Sequence, residues 1–350
     1  MSNPMLITVV VPIYNVERYL EECLDSLVNQ STRNFQVILV NDGSRDGSGA
    51  IARRYAERDP EHFTYVEQPN AGLGAARNTG MRLVKTPYLE FLDSDDWLKP
   101  RAIENVERAL LAQTEEVDIV FTAPTVFDMA TRTFSEWSDN DRLARIFEGR
   151  TVTSPAECPD MYALEASVNR SVWNTEFLRR NHFAFPEGVK WEDVFPHFYL
   201  FHLARRCIMV EQAGFFYRIN SGNQITSLSS TARLDIVPVF STALLYAMEN
   251  QWTETEISYI LQMMMDFIRW SVYVSQPKVR TELVRSLHGM FGGIPGHYLR
   301  AYLRQRRPSA DTRLFLSFLR RPGLYHLLEN AHVVDFFERN FHRLERLRRH

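Results

Sequence analysis

The chain has 350 residues, of which 45% are hydrophobic and 12% aromatic, and its formal net charge is −3 at pH 7. This length predicts one large α/β domain with an additional module, and the near-neutral charge argues against a general nucleic-acid-binding protein. The three cysteines lie far apart in the sequence, which argues against a disulfide framework and against a CxxC zinc site.

The N-terminal segment and the apolar runs of the sequence indicate where the protein is located. The N-terminal segment MSNPMLITVV lacks the basic region and the small-residue cleavage site of a signal peptide. No apolar run reaches the ~18 residues that a membrane-spanning helix needs, because Asp266 and Arg269 interrupt the longest one. We therefore expect a cytoplasmic protein without a membrane span.

Strand and helix patterns alternate through the first third of the chain. Four apolar runs are typical of buried strands: LITVVVPIY, FQVILVND, FTYVEQ and YLEFLD. Three segments between them carry apolar residues at helical spacing: VERYLEECLDSLVNQ, DGSGAIARRYAER and GLGAARNTGMRLV. This βαβαβαβ order predicts an α/β fold with a mostly parallel sheet flanked by helices.

The remaining chain changes character near Leu234. Before it the pattern mixes short strands with helices, and after it the pattern is helical, with breaks at 292–295 and 321–323. The predicted divisions are a domain at 1–234, with halves at 1–115 and 116–234, and a helical C-terminal module at 235–350.

Polar residues follow each of the four predicted strands. These segments are Pro12–Asn15, Asn41–Ser44, Asn70–Gly72 and Asp93–Asp96. In parallel sheets, ligands bind beyond the carboxyl ends of the strands. The sequence therefore predicts a binding site at this rim, where Asp42 is a candidate acceptor of hydrogen bonds from a base edge.

Three acids in four residues, Asp93, Asp95 and Asp96, follow the fourth predicted strand. A solvated turn, a calcium loop and a site for a divalent cation with an anionic ligand are the alternatives. An EF-hand loop beginning at Asp42 fails because its twelfth position is Arg53 rather than glutamate. Mg²⁺ or Mn²⁺ binds through one or two carboxylates plus substrate phosphates, which favours the cation site.

Three further motifs carry charged residues. In NAGLGAARNTG a dinucleotide-binding fingerprint is broken by Arg77, whose guanidinium suits a phosphate or a carboxylate of the acid run. In KWEDVFPHF, Glu192 and Asp193 fit either a helix N-terminus or a general base in a partly dry pocket. In YRINSGNQIT, Arg218 fits either a strand with a polar turn or an anion clamp.

Taken together, these motifs resemble family-2 glycosyltransferases of the GT-A fold, a Rossmann-like fold of nucleotide-diphospho-sugar transferases. The matching segments, in order, are VVVPIYN, VNDGSRDGS, NAGLGAARNTG, FLDSDDWL and WEDVFPHF. The resemblance covers roughly residues 6 to 230, and YRINSGNQIT resembles a segment of bacterial wall- and capsule-modifying members. One departure is Thr175 in VWNTEF, where those members often carry lysine.

The resemblance implies a role for individual residues. Asp193 is the implied catalytic base, Glu192 lies near the acceptor, and Asp95 contacts Mn²⁺ or Mg²⁺. Asp93 contacts the sugar or ribose, and Asp96 is a further acid of the motif. The implied donor-binding residues are Pro12, Tyr14, Asn15, Asp42, Asn70, Arg77, Asp93 and Ser94. Candidate anion or acceptor contacts are Trp191, Arg218 and Thr226.

The implied function is inverting, metal-dependent transfer of a sugar from a nucleotide-diphospho-sugar, most often a UDP-sugar. The acceptor is a hydroxyl of a cell-surface glycan, a polyol-phosphate polymer of the teichoic-acid type or a lipid-linked molecule. A nucleotide-sugar pyrophosphorylase is an alternative, but its Gly-rich basic loop is absent after the first strand, where VPIYNVERYLEE stands. A non-catalytic carbohydrate-binding or scaffold protein is the other alternative, although both acidic motifs are intact.

The C-terminal 278–350 segment holds 15 Lys or Arg against 6 Asp or Glu, a surplus of 9. The basic tail FFERNFHRLERLRRH fits a solvated helix face. It also fits peripheral docking on the anionic inner face of the plasma membrane or on a polyanionic acceptor. Homo-oligomerisation through 235–350 is a third hypothesis.

Overall fold

The computed structural model describes residues 5–220, 231–330 and 333. The chain divides into two compact units, residues 1–224 and 225–350. The strands, all in the first unit, are β1 Ile7–Ile13, β2 Phe35–Asn41, β3 Phe63–Glu67, β4 Tyr88–Phe91, β5 Trp97–Leu98, β6 Ile119–Thr122, β7 Thr125–Asp128, β8 Thr133–Glu136, β9 Ser171–Asn174, β10 Cys207–Val210 and β11 Phe215–Ile219.

Seven of these strands form one mostly parallel sheet in the order β10-β6-β9-β4-β1-β2-β3. All neighbours pair in parallel except β9, which is antiparallel to both β4 and β6. The predicted mostly parallel sheet is therefore confirmed. The other four strands form a smaller sheet in the order β5-β11-β7-β8.

Helices flank the large sheet. In the first unit they are α1 Glu17–Val28, α2 Ser48–Arg58, α3 Leu73–Leu83, α4 Ala102–Leu111, α5 Asn140–Phe147, α6 Thr175–Arg180 and α7 Val194–Leu203. Every residue of β1 is buried, which explains why its sequence is continuously apolar. Helix α3 packs closely on this strand, because a Cβ at Gly80 would lie 2.2 Å from Val10.

The second unit is helical within its described residues. Its helices are α8 Ile236–Glu249, α9 Glu254–Val274, α10 Pro277–Gly293, α11 Gly296–Gln305 and α12 Ala310–Arg320. The predicted breaks coincide with the ends of α10 and α12. Helix α9 begins with a capping box between Thr253 and Glu256, and its buried Arg269 pairs with Asp311. Across the described ranges, the helices are too short or too polar to cross a bilayer. The basic tail lies outside the described residues.

The strands β1 to β4 run parallel, so their carboxyl ends meet at one rim. The four polar segments predicted from the sequence follow these ends. The candidate site is built on this rim.

Candidate functional site

The acid run Asp93–Asp96 follows β4 and lies partly buried at the rim. Asp96 is 1% exposed, and its Oδ1 accepts a hydrogen bond from the backbone N–H of Arg218 at 2.8 Å. Its Oδ2 is buried without a hydrogen-bond partner in the described part of the chain. Burial and then the charges of Asp95 and Asp93 raise the pKa of Asp96 well above its usual value. A solvated turn, one of the sequence-based alternatives, does not fit this burial.

The buried side chain of Arg218 braces the acid run. Its Nε donates to the backbone carbonyl of Asp95 at 2.7 Å, and its Nη2 donates to the Glu22 carboxylate at 2.7 Å. The guanidinium lies over the rings of Tyr19 and Trp97, 4.7 and 4.5 Å from their centroids. The guanidinium is 3% exposed and fixes the loop, and the predicted anion or acceptor contact of Arg218 stays a prediction.

Arg77, on α3, joins the acid run to the second acidic motif. Its Nη2 lies 3.0 Å from Asp93 Oδ1, and its Nη1 lies 2.9 Å from Glu192 Oε1 and 2.6 Å from Asp193 Oδ1. Burial alone would lower the pKa of Arg77, but the charges of Asp193, Asp93 and Glu192 raise it. The guanidinium is 1% exposed. Arg77 thus pairs with carboxylates, one of the two partners that the sequence suggested, and its contact with a diphosphate stays a prediction.

Asp193 immediately precedes α7 and is the least shielded carboxylate of the second acidic motif. Its side chain is 19% exposed, whereas that of Glu192 is 6% exposed. Burial raises the pKa of Asp193 to about 7, against the effect of Arg77 and together with that of Glu192. Its Oδ2 accepts a long hydrogen bond, 3.4 Å, from the backbone of Val168. A partly exposed carboxylate that titrates near neutrality suits a general base.

The backbone before this pair has an uncommon conformation. Trp191 has φ +64°, a left-handed value that a bulky side chain rarely adopts. The Trp191 carbonyl then accepts a hydrogen bond from Val194, the first residue of α7, at 3.1 Å. This turn directs Glu192 and Asp193 toward Arg77.

Helix α3 also holds the loop that leads to Glu192 and Asp193. The Asn78 side chain forms two hydrogen bonds with the backbone of Phe185, at 2.8 and 3.0 Å, and donates to Glu187 at 2.8 Å. A Cβ at Gly74 would lie 2.2 Å from the carbonyl oxygen of Pro186, so only glycine permits this close approach. The motif GLGAARN therefore positions an acidic loop instead of binding phosphate through its glycines.

The carboxylate of Asp42, at the end of β2, is 3% exposed and accepts four hydrogen bonds. The donors are Gln68 Nε2, Asn70 Nδ2, Ala71 N and Gly72 N, at 2.7 to 3.1 Å. Because a carboxylate has about four acceptor sites, Asp42 has little capacity left for a base edge. Its observed role is to shape the segment that enters α3, and base contact stays a prediction.

The remaining predicted donor residues lie around the same rim. Pro12 is buried in β1, Tyr14 is 48% exposed, and Asn15 is exposed with φ +49°. The Asn15 side chain accepts a hydrogen bond from the backbone of Arg45 at 2.8 Å. Ser94 is 7% exposed within the acid run. Thr226 lies outside the described residues.

The site carries more negative than positive charge. Its five carboxyl groups belong to Asp93, Asp95, Asp96, Glu192 and Asp193, and within the described ranges the guanidinium groups beside them are those of Arg77 and Arg218. Burial and the charge of Asp93 raise the pKa of Asp95 to about 6, and Asp95 forms no ion pair with a described residue. An added cation would relieve this repulsion.

The acid run fits a divalent metal of the Mg²⁺ type. The described residues contain no cluster of three or more His, Cys, Asp or Glu that could hold a metal by itself. Mg²⁺ sites that act on phosphates usually take only one or two protein carboxylates. The carboxylate of Asp95, which forms no ion pair with a described residue, and the unpaired Oδ2 of Asp96 are consistent with that smaller set.

The fold and the rim define the class of protein: an α/β protein with an acidic candidate site beyond the carboxyl ends of its parallel strands. Residues 8–173 match the model of glycosyl transferase family 2. The match covers somewhat less than half of the chain, and over residues 8–173 the chain is similar to this family.

Relatives agree with this placement. The chain is 43% identical over 113 residues to glycosyltransferase GlyA of Streptococcus pneumoniae, which is 32% of this chain and 16% of that protein. It is 30% identical over 236 residues to the uncharacterized glycosyltransferase EpsJ of Bacillus subtilis, 66% of this chain and 65% of that protein. The chain thus covers less than two thirds of either relative.

Solved structures confirm the predicted GT-A fold. The structure of S. aureus TarS 1–349 in complex with UDP-GlcNAc superposes with a TM-score of 0.72 at 18% identity, covering 94% of this chain and 91% of that chain. Mannosyltransferase PcManGT from Pyrobaculum calidifontis, in complex with GDP-Man and Mn²⁺, gives a TM-score of 0.53 at 18% identity.

Proposed function

We propose that the protein transfers a sugar, with inversion, from a nucleotide-diphospho-sugar to an acceptor hydroxyl. The observation that carries this proposal is the Arg77 guanidinium, which holds the acid run at one nitrogen and the Glu192–Asp193 pair at the other. It joins a donor-side acid to a candidate base whose pKa lies near 7. Residues 1–115 would form the donor half and residues 116–234 the acceptor half, followed by the helical module at 235–350.

The reaction follows from these groups. Deprotonated Asp193 takes the proton of the acceptor hydroxyl, and the hydroxyl oxygen forms a bond to the anomeric carbon of the donor sugar. The bond from that carbon to the diphosphate oxygen breaks on the opposite face, and the nucleoside diphosphate leaves with the electron pair. Because Arg77 pairs with carboxylates on both sides, we assign it a positioning role rather than contact with the leaving group. It fixes Asp93 and Asp193 relative to each other, which sets the geometry of attack.

The metal would be held by Asp95, with the neighbouring acids Asp93 and Asp96 in support. Mn²⁺ or Mg²⁺ would neutralise charge that develops on the diphosphate as it leaves. UDP is the proposed nucleotide, since S. aureus TarS 1–349, which shares the fold, has solved structures in complex with UDP-GlcNAc and with UDP. An acceptor of the cell-wall type, such as a glycan, a polyol-phosphate polymer or a lipid-linked molecule, is supported by the similarity to the minor teichoic acid biosynthesis protein GgaB of Bacillus subtilis. A cytoplasmic location with peripheral membrane contact, and self-association through 235–350, belong to the same proposal.

A thermal-shift panel of nucleotide sugars tests this function. We expect one UDP-sugar to raise the melting temperature of the protein with Mn²⁺ and much less with EDTA, because a ligand that binds only the folded state stabilises it. Release of UDP in the presence of an acceptor preparation would then report transfer. A panel with no stabilising nucleotide sugar would contradict the proposal and favour a carbohydrate-binding or scaffold protein.

The Asp95→Asn variant tests the metal. We expect it to lose most of the Mn²⁺-dependent part of the thermal shift, because the amide removes the charge that pairs with the cation. The free protein should be no less stable than wild type, since the variant also removes repulsion with Asp93. Asp141→Asn, at an exposed site in α5, is the matched control. Equal Mn²⁺ dependence in the Asp95 variant would show that this carboxylate does not hold the metal.

The Asn78→Ala variant tests whether α3 positions the base. Transfer should fall roughly ten- to hundredfold in kcat, with a smaller change in the KM for the donor, because a small displacement of a catalytic group costs rate. Gln30→Ala is the matched control: Gln30 is 6% exposed and its amide bonds to the carbonyls of Ser26 and Lys99, at 3.0 and 2.9 Å. Both variants should lose similar stability. Equal kcat in the two variants would rule out a positioning role for Asn78.

A further inference from the structure

Glu165, outside the five carboxyl groups already described, is held by a buried tryptophan. The indole of Trp137, 6% exposed, donates a hydrogen bond to Glu165 Oε2 at 2.8 Å. Glu165 itself is exposed. A carboxylate can accept up to about four hydrogen bonds, so Glu165 keeps acceptor capacity after this contact. The indole thus fixes the orientation of a carboxylate that a ligand can reach.

The segment 165–170 connects this carboxylate to the catalytic pair. Asp139 holds both ends, since it accepts hydrogen bonds from the Glu165 backbone N–H and from the Arg170 guanidinium. Between these ends, the Val168 backbone donates to Asp193, as described above. Glu165 therefore lies on a segment that hydrogen bonds hold in place and that contacts Asp193, the proposed base.

Tyr217, on β11, connects the ring that holds Glu165 to the strand that contacts the acid run. Its ring centroid is 4.8 Å from that of Trp137, and the next residue along the strand donates its backbone N–H to Asp96. Burial and then the charges of Asp96, Glu165, Asp93 and Asp95 raise the pKa of Tyr217. The phenol is consequently a protonated hydrogen-bond donor at neutral pH, flanked by acids on two sides.

The chemistry of this pair selects a class of ligand. The Glu165 carboxylate offers hydrogen-bond acceptors, the Tyr217 phenol offers a donor, and the rings of Tyr217 and Trp137 offer an apolar surface. The negative charge of Glu165 repels phosphate, whereas the hydroxyls of a sugar ring can both donate to Glu165 and accept from Tyr217. The acid run, beside which the diphosphate would bind, is next to Tyr217. The sugar of the donor is therefore the ring that Glu165 and Tyr217 would contact.

We propose that Glu165 and Tyr217 bind the hydroxyls of the donor sugar and select which sugar is transferred. This inference rests on the proposed function and names a specificity site within it. Trp137 is a positioning residue, because it acts through Glu165.

Calorimetric affinities for UDP and for UDP-GlcNAc, UDP-glucose and UDP-galactose, all with Mn²⁺, test the inference. In Glu165→Gln and in Tyr217→Phe, we expect the affinity for the preferred UDP-sugar to fall roughly ten- to hundredfold, as for loss of a hydrogen bond involving a charged group. The affinity for UDP should stay at the wild-type value, which a general loss of structure would not allow. Glu136→Gln, which removes the same charge from an exposed position on β8, is the control.

The outcomes separate the two proposals. Wild-type protein that binds a UDP-sugar, with variants that bind it equally well, would overturn the sugar-binding role alone. Variants that lose affinity for UDP and UDP-sugar alike would also overturn it, because the effect would then not depend on the sugar. Wild-type protein that binds none of these nucleotides would overturn the proposed function and this inference with it.

Discussion

Replacing Asp193 by asparagine is expected to lower the rate of sugar transfer by roughly 10²–10⁴-fold, the usual contribution of a general base. Asparagine keeps the shape of the side chain and can still accept a hydrogen bond from Arg77, so the loop should stay in place. Affinity for the nucleotide sugar should remain close to wild type, since Asp193 contacts no group of the acid run directly. Single-turnover kinetics together with donor calorimetry separate the two quantities.

The pH dependence of kcat/KM provides the sharper test of Asp193. Because burial raises its pKa to about 7, the base is protonated below that pH and the rate should rise as pH increases through about 7. The residual activity of Asp193→Asn should lack this inflection. Asp141→Asn should keep both the rate and the inflection. A variant at Asp193 that retained the wild-type rate or profile would assign the base elsewhere.

The rim and its acids could be predicted from the sequence because they depend on local order along the chain. Four apolar runs separated by helical segments leave few alternatives to a parallel sheet, and parallel strands end at one rim. The acid run and the Glu192–Asp193 pair were thus identified with no three-dimensional information. Their burial stayed open in the sequence, where a solvated turn remained an alternative for the acid run and a helix N-terminus for the pair.

The partners of the charged residues could not be predicted in the same way. Arg77 and Asp193 are 116 positions apart, and nothing in either motif states which anion the guanidinium meets. Arg218 lies 122 positions from the carboxylate that its backbone contacts, and stacking between Tyr19 and Trp97 buries it. Glu165 belongs to no recognisable motif. Its position relative to Tyr217 depends on the hydrogen bonds that hold the segment 165–170 in place. Pairs between residues so far apart in the sequence depend on how the chain that follows residue 115 packs against the first four strands.

Replacing Arg77 by methionine is expected to destabilise the first unit by about 3–5 kcal/mol, the usual cost of removing one partner of a buried ion pair. The variant leaves Asp93, Glu192 and Asp193 close together without their shared cation. By the usual scaling for larger domains, the melting temperature should fall by roughly 10 °C or more. Arg269→Met, which removes a buried arginine from its acid partner in the other unit, is the matched control.

The pH dependence of this loss of folding stability identifies its cause. Burial raises the pKa of Asp193 and Arg77 lowers it, so loss of Arg77 raises that pKa further and the folded variant binds more protons than the unfolded chain. Stability of the variant should therefore decrease as pH rises, and the deficit against wild type should be larger at pH 8 than at pH 5. If Arg77 instead contacted only the donor diphosphate, the melting temperature without ligand would be unchanged and only donor affinity would fall. Since Arg77 is 1% exposed and lies 2.6 to 3.0 Å from three carboxylates, we expect loss of both the fold of the site and transfer.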